Sequence, residues 1–191
     1  ISPPRNRYAA LGFSRDGRRA RLLTGLGSVE DLRAAEVWTA VGGFYPVLLD
    51  GDVLGEQDAR APRSAVGVSA DGSTLWLLVA DGRQPGVATG LTTAELGANL
   101  RELGAAAALN LDGGGSATLA LRLPIAGGEP SSPASLGPQS SGSEDPRFEV
   151  RVANRPIHRG IPGNERVNAN HLGFRVGPTR GLAPDPASTS D

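Results

Sequence analysis

The chain has 191 residues, a length that fits one domain. Its formal net charge of −1 argues against nucleic acid or an anionic membrane as a partner. It contains no cysteine, which excludes disulfides, thiolate metal sites and cysteine nucleophiles. Only two histidines are present, so a three-histidine metal site is impossible, and no apolar run approaches the roughly 18 residues that span a bilayer.

The first part of the chain is predicted to form a hairpin and a short helix. Residues 7–13 and 19–23 read as strands, and the Asp-Gly pair within Ser14–Gly17 is a strong turn signal between them. Ser28 is suited to cap a following helix, with Asp31 at the position where a full capping box has Glu or Gln.

Further strands follow, again separated by glycine turns. Residues 37–55 predict a strand, a glycine turn, a second strand and an Asp50-Gly51 turn. Residues 64–82 predict a hairpin around Asp71-Gly72. Its second strand, Leu75–Val79, is apolar throughout, so we expect it to be buried on both faces.

The best helix signal lies at residues 92–103, where Thr92 and Glu95 have the spacing of a capping box. Leu96, Leu100 and Leu103 form one apolar face. The predicted fold class is therefore α+β, with this helix packed on a twisted mixed or antiparallel β-sheet.

The rest of the chain divides into strands and polar, low-complexity segments. Residues 126–147, rich in proline, serine and glycine, predict a flexible loop, and residues 178–191 predict a disordered tail. Strands are expected at 148–157 and 167–177, so the domain would extend over residues 1–177.

The first candidate site is the stretch Asp112–Thr118, in which three consecutive glycines follow an aspartate between two apolar runs. Amides free of side chains can bind an anion, and the aspartate can serve as nucleophile, acid/base or cation ligand. Ser116 and Thr118 are expected to place two hydroxyls on one side of the next strand. The structural alternative is a tight hairpin with a glycine bulge.

Other polar clusters carry similar alternatives. Arg83, within the segment 81–86, either binds phosphate or carboxylate or lies solvated in a Pro-Gly turn. Glu95 either takes part in chemistry or only caps its helix. The asparagines of 154–170 suit sugar hydroxyls, a calcium site or turn stabilisation. His158 is expected at the surface and His171 in the core.

Together these pieces resemble the phosphodiester glycosidase family. The most specific element is Asn-Leu-Asp-Gly-Gly-Gly-Ser-x-Thr at 110–118, and Asp-Gly-Arg-Gln at 81–84 and Asn-Arg-Pro at 154–156 occur in the family's order. The resemblance implies a hydrolase cleaving a glycosidic bond, in a glycosyl-1-phosphodiester or a cell-envelope or exopolysaccharide glycan. The alternatives are a glycosidase acting on non-phosphorylated polysaccharide and a non-catalytic carbohydrate-binding module of the envelope.

The resemblance also implies roles for individual residues. The carboxylates would be Asp112 and Glu95, and Arg83 and Arg63 would stabilise charge on the leaving phosphate. The amides of Gly113, Gly114 and Gly115 and the hydroxyls of Ser116 and Thr118 would position substrate oxygens. The remaining expected substrate-binding residues are Asp81, Asn110, Asn154, Arg155, Arg166 and Asn170.

The resemblance has further implications for context. No cofactor is required, although asparagine oxygens would allow calcium. The family's exported bacterial members imply a secreted or cell-envelope location and a carbohydrate or sugar-phosphate substrate. The family's upstream Ile-Asn-Gly-x-Phe-Phe element is missing, so we expect this chain to be the carboxy-terminal part of a larger protein whose upstream segment is a separate chain or is absent.

Overall fold

A computed structural model describes residues 9–26, 28–35, 37–55, 59–124, 148–167 and 172–174. The helices are α1 (Val29–Ala34) and α2 (Thr93–Glu102). The strands are, in chain order, β1 (Ala10–Phe13), β2 (Ala20–Leu23), β3 (Thr39–Gly42), β4 (Pro46–Leu49), β5 (Asp52–Val53), β6 (Arg63–Val68), β7 (Leu75–Ala80), β8 (Ala107–Asn110), β9 (Ala120–Pro124), β10 (Phe148–Val152), β11 (Ile157–His158) and β12 (Ile161–Pro162). The predicted loop at 126–147, the tail at 178–191 and most of the expected strand at 167–177 lie outside the described residues.

A five-stranded antiparallel sheet with the order β5-β4-β8-β6-β7 forms the centre of the described fold. The hairpin predicted around Asp71-Gly72 is confirmed, with β6 and β7 paired from Arg63↔Ala80 to Val68↔Leu75. Strand β8 lies between β4 and β6, so the segment that leaves it starts from the middle of the sheet.

Helix α2 packs on one face of this sheet, as the α+β prediction requires. Leu96 and Leu100 are fully buried in a cluster that includes Val47 of β4 and Ala108 of β8. The helix begins after Thr92, which forms the predicted capping box with Glu95. Interleaving of these apolar side chains fixes the helix over the sheet.

A small sheet with the order β2-β1-β3 packs on the opposite face. Its Leu11 is fully buried against a cluster containing Val66 and Leu109 of the central sheet. Because neighbouring strand residues point to opposite faces, Ala108 and Leu109 contribute to different clusters. The predicted β1–β2 hairpin and the Ser28 cap of α1 are both present, and Asp31 completes a capping box.

The expectation that Leu75–Val79 is buried on both faces is wrong. Strand β7 is the edge strand of the sheet, and Leu77 is 41% exposed. Its continuous apolar pattern resembles that of a central strand, but the order of the strands is set by long-range pairing.

The three-glycine stretch does not form a hairpin. Residues Gly114–Ser116 form one 3₁₀ turn after β8, and β9 then pairs with β10 rather than with β8. Ser116 lies in that turn and Thr118 precedes β9, so the expectation that both hydroxyls project from one strand is also wrong.

Candidate functional site

The turn after β8 lies tightly against the chain that enters β6. The Gly114 amide donates a hydrogen bond to the Pro62 carbonyl over 2.8 Å. A Cβ atom on Gly113 would lie 2.7 Å from the same Pro62 oxygen, so a side chain there would clash with backbone. Close approach of two backbones therefore explains the first glycine of the three.

Gly115 lines an open cleft with a volume of about 320 Å³, and Gly114 lies next to it in the turn. A Cβ on Gly114 would lie 3.2 Å from Nη1 of Arg83, and one on Gly115 would lie 3.1 Å from Nδ1 of His158. Missing side chains thus let a guanidinium and an imidazole approach bare backbone. The cleft is lined by Arg83, Gly115, Ile157, His158, Arg159, Gly160 and Arg166.

Asp112 contacts this cleft through Arg166. Its Oδ2 accepts a hydrogen bond from Arg166 Nη2 over 3.0 Å, and its Oδ1 accepts one from the Gly113 amide over 2.9 Å. Asp112 is 57% exposed and Arg166 is 45% exposed, so solvent or a ligand can reach the pair. A carboxylate has about four acceptor positions, which leaves capacity for a further partner.

Asp81 and Asn154 form a network behind the cleft. The Asp81 carboxylate accepts hydrogen bonds from Asn154 Nδ2 over 2.9 Å and from the Arg155 amide over 2.9 and 3.0 Å. Asn154 Oδ1 accepts a hydrogen bond from the Leu119 amide, and its Nδ2 also donates to the Ala117 carbonyl. This network joins the end of β7, the segment before β9 and the Asn-Arg-Pro segment.

Glu95 and Arg63 are both engaged with backbone. Glu95 Oε2 accepts a hydrogen bond from the Thr92 amide, and Oε1 pairs with Arg60. The Thr92 amide, and after it Arg60, hold the pKa of Glu95 below its usual value. Arg63 is only 7% exposed and donates to the carbonyls of Leu91 and Ala59. Within the described residues, neither side chain lines the cleft.

Several buried oxygens near the turn have no hydrogen-bond partner among the described residues. They are Gln84 Oε1, Asn110 Oδ1, Ser116 Oγ and Thr118 Oγ1. Buried polar atoms are rarely left without partners, so each is a candidate contact for a ligand or water. Asn170 and His171, both considered in the sequence, lie outside the described residues.

Four cleft residues were not predicted to be functional, namely Ile157, His158, Arg159 and Gly160. His158, expected at the surface, is half-buried in the cleft wall, and Arg159 follows it in a two-residue turn between β11 and β12. The available signal was Gly160 at the second of two positions between short apolar segments, where glycine is typical of a tight hairpin although arginine at the first position is not.

The described ranges contain no group of three or more His, Cys, Asp or Glu side chains placed to hold a metal ion. In the same ranges, no helix has both the length and the apolar character needed to cross a bilayer.

A family model from the glycosidase class matches residues 2–175. That model describes the phosphodiester glycosidases, and the chain belongs to this family. The match confirms the family that the Asn110–Thr118 stretch indicated. No curated protein matches the chain.

Two solved structures share parts of the fold at low identity. One is the catalytic domain of zebrafish N-acetylglucosamine-1-phosphodiester alpha-N-acetylglucosaminidase, auto-inhibited by its pro-peptide, with 23% identity and a TM-score of 0.48 over 59% of this chain and 41% of that one. The other is a hypothetical protein from Synechocystis, with 18% identity and a TM-score of 0.38 over 61% of this chain and 30% of that one. The chain thus spans less than half the length of either structure.

Proposed function

We propose that this chain hydrolyses the glycosidic bond of a glycosyl-1-phosphodiester. The observation that carries the proposal is the cleft in which Arg83, Arg159 and Arg166 surround bare glycine backbone. Arginine recognises phosphate through two parallel hydrogen bonds, and glycine lets a ligand approach the main chain closely. Membership of the phosphodiester glycosidase family supports the same chemistry.

The reaction would add water across the bond between the anomeric carbon and the phosphate oxygen. The hydroxyl group goes to the anomeric carbon, and the phosphate monoester leaves with the bridging oxygen. Such a leaving group needs little protonation, so the main requirement is stabilisation of its charge as the bond breaks. Arg83, whose guanidinium lies close to Gly114, would provide it.

Among the candidate carboxylates, Asp112 is the one we assign to the chemistry. It is exposed and lies beside a cleft residue, whereas Glu95 caps a helix and Asp81 is held by Asn154 and Arg155. Asp112 would act on the sugar as nucleophile or as the base for water. Arg166 Nη2 donates a hydrogen bond to Asp112 Oδ2 and so holds the carboxylate in position beside the cleft.

Replacement of Asp112 by Asn tests this assignment. We expect turnover to fall at least about 100-fold, the usual contribution of a positioned acid or base, with an unchanged unfolding temperature because the side chain is exposed. The assay measures sugar released from a glycosyl phosphodiester and from an aryl glycoside. Asp52→Asn, at an exposed position of β5, is the matched control and should retain full turnover.

The outcomes separate the alternatives. Release from the aryl glycoside alone would indicate a glycosidase acting on non-phosphorylated glycans. Absence of turnover with both substrates would indicate a carbohydrate-binding module. Equal turnover of Asp112→Asn and the wild type would contradict the catalytic role of this carboxylate.

We further propose that the substrate belongs to an exopolysaccharide or the cell envelope and that the protein acts outside the cytoplasm. Both follow from the exported bacterial proteins that the sequence resembles. An upstream segment bound as a separate chain remains part of this proposal, and intact mass analysis of the natural protein tests it.

A further inference from the structure

Arg159 occupies a backbone position that arginine rarely adopts. It is the first residue of the two-residue turn between β11 and β12, with φ +53°, and Gly160 follows with φ +75°. Such hairpin turns require positive φ at both positions and favour Asn, Asp or Gly at the first. The equivalent turn between β4 and β5 follows this preference with Asp50-Gly51.

Arg83 shares this unusual backbone, with φ +56°. Within the described residues, positive φ at positions other than glycine occurs at Asp50, Arg83 and Arg159 only. Two of these three positions therefore line the same cleft. Residues held in sparsely populated backbone conformations concentrate at functional sites, because the surrounding structure must maintain them.

The charges of the cleft are also unbalanced. Arg166 pairs with Asp112, but neither the Arg83 nor the Arg159 guanidinium has a hydrogen-bond or ion-pair partner in the described part of the chain. Two permanently charged guanidinium groups thus face one cleft, and among the described residues neither is paired with a carboxylate. His158 lies between this turn and Gly115 and adds a further group able to donate a hydrogen bond.

We propose that Arg159 is an anion-binding residue of the cleft and that, together with Arg83, it selects a substrate carrying two negative charges on phosphate oxygens. A simple phosphodiester carries one negative charge and a diphosphate diester carries two, which matches the two arginines without partners. For such a substrate the leaving group of the proposed hydrolysis is a diphosphate monoester, which takes the place of the phosphate monoester. The identity of the ligand as a glycosyl phosphate rests on the proposed function, but the anion-binding role of Arg159 does not.

Arg159→Asn tests the proposal because the unfolding temperature is expected to rise while the affinity for an anion is expected to fall. Asparagine suits the turn, so we expect the unfolding temperature to rise by about 2–4 °C, the response of a chain of this size to a modest gain in stability. The affinity for inorganic pyrophosphate, measured by titration calorimetry, should fall about tenfold or more, because a charge-assisted pair is lost. The affinity for diethyl phosphate, which carries a single negative charge, should fall less.

Arg18→Asn is the matched control, because it removes the same charge from an exposed position between β1 and β2, outside the cleft. It should change neither the unfolding temperature nor the affinity. The proposal is overturned if the wild type does not bind pyrophosphate, if Arg159→Asn binds it as tightly as the wild type, or if Arg159→Asn unfolds at a lower temperature. Lack of hydrolysis by the wild type would refute the proposed function and leave these outcomes meaningful.

Discussion

At the scale of the residue, Glu95 shows how a carboxylate in a family motif can have a structural role. It accepts the Thr92 amide at the start of α2, and this hydrogen bond and Arg60 lower its pKa from a usual value of 4.5. A carboxylate whose pKa is lower in the folded state adds stability above its unfolded pKa. That stability is lost as the pH falls through the folded pKa.

We therefore expect Glu95→Gln to be less stable than the wild type at neutral pH, with the difference shrinking below pH 4.5. Thermal unfolding of both proteins across this pH range measures it. Glu102→Gln, at the other end of the helix, is the control and should cost no stability at neutral pH, because a negative charge there opposes the helix dipole. A pH-independent difference for Glu95→Gln would contradict the lowered pKa.

At the scale of the element, the contact between α2 and β4 depends on Gly97. A Cβ at this position would lie 2.1 Å from the Val47 carbonyl oxygen, so the helix approaches the strand more closely than a side chain allows. In an exposed helix, Gly→Ala gains up to about 1 kcal/mol. Here the clash of the added Cβ with the Val47 carbonyl makes the same substitution destabilising.

We expect Gly97→Ala to lower the free energy of unfolding by about 1–3 kcal/mol, the usual cost of overpacking. Denaturant titration measures the loss. Gly42→Ala is the matched control, because no atom lies within 4 Å of the added Cβ, and it should be close to neutral. If Gly97→Ala is as stable as Gly42→Ala, the helix and strand are not held at this distance.

The elements that could be predicted from the sequence are those fixed by local signals. The capping box at Thr92 and the Asp71-Gly72 turn each act within a few residues, and both are present. The errors concern long-range pairing. The three-glycine segment connects β8 to β9, which pairs with β10, and β7 is an edge strand. Neither pairing can be predicted from the local sequence pattern.

At the scale of the whole molecule, three of the seven residues that line the cleft were candidates from the sequence alone. Arg83, Gly115 and Arg166 were predicted and lie together in the cleft. His158 and Arg159 were not expected in the cleft, because their position there depends on the contact between the β11–β12 hairpin and the glycine turn from a distant part of the chain. Spacing along a sequence cannot show such a meeting.

The same long-range assembly depends on Asn154. Its amide bonds to Asp81, 73 residues away, and to the backbone of Ala117 and Leu119. Replacement by alanine would leave several partly buried groups without partners and weaken the attachment of the Asn-Arg-Pro segment to Asp81, which would keep the hydrogen bonds from the Arg155 amide.

We expect Asn154→Ala to cost about 1–3 kcal/mol of stability, because unpaired polar groups near the interior are expensive. Turnover should also fall, since the segment before β9 would lose its hydrogen bonds to Asn154 and the chain leading to His158 would be held less firmly. Denaturant titration and the sugar-release assay measure the two effects. Asn99→Ala removes an asparagine whose amide bonds only within α2, and it should change neither. Similar behaviour of the two variants would mean that the Asp81–Asn154 network does not hold the distant parts of the site together.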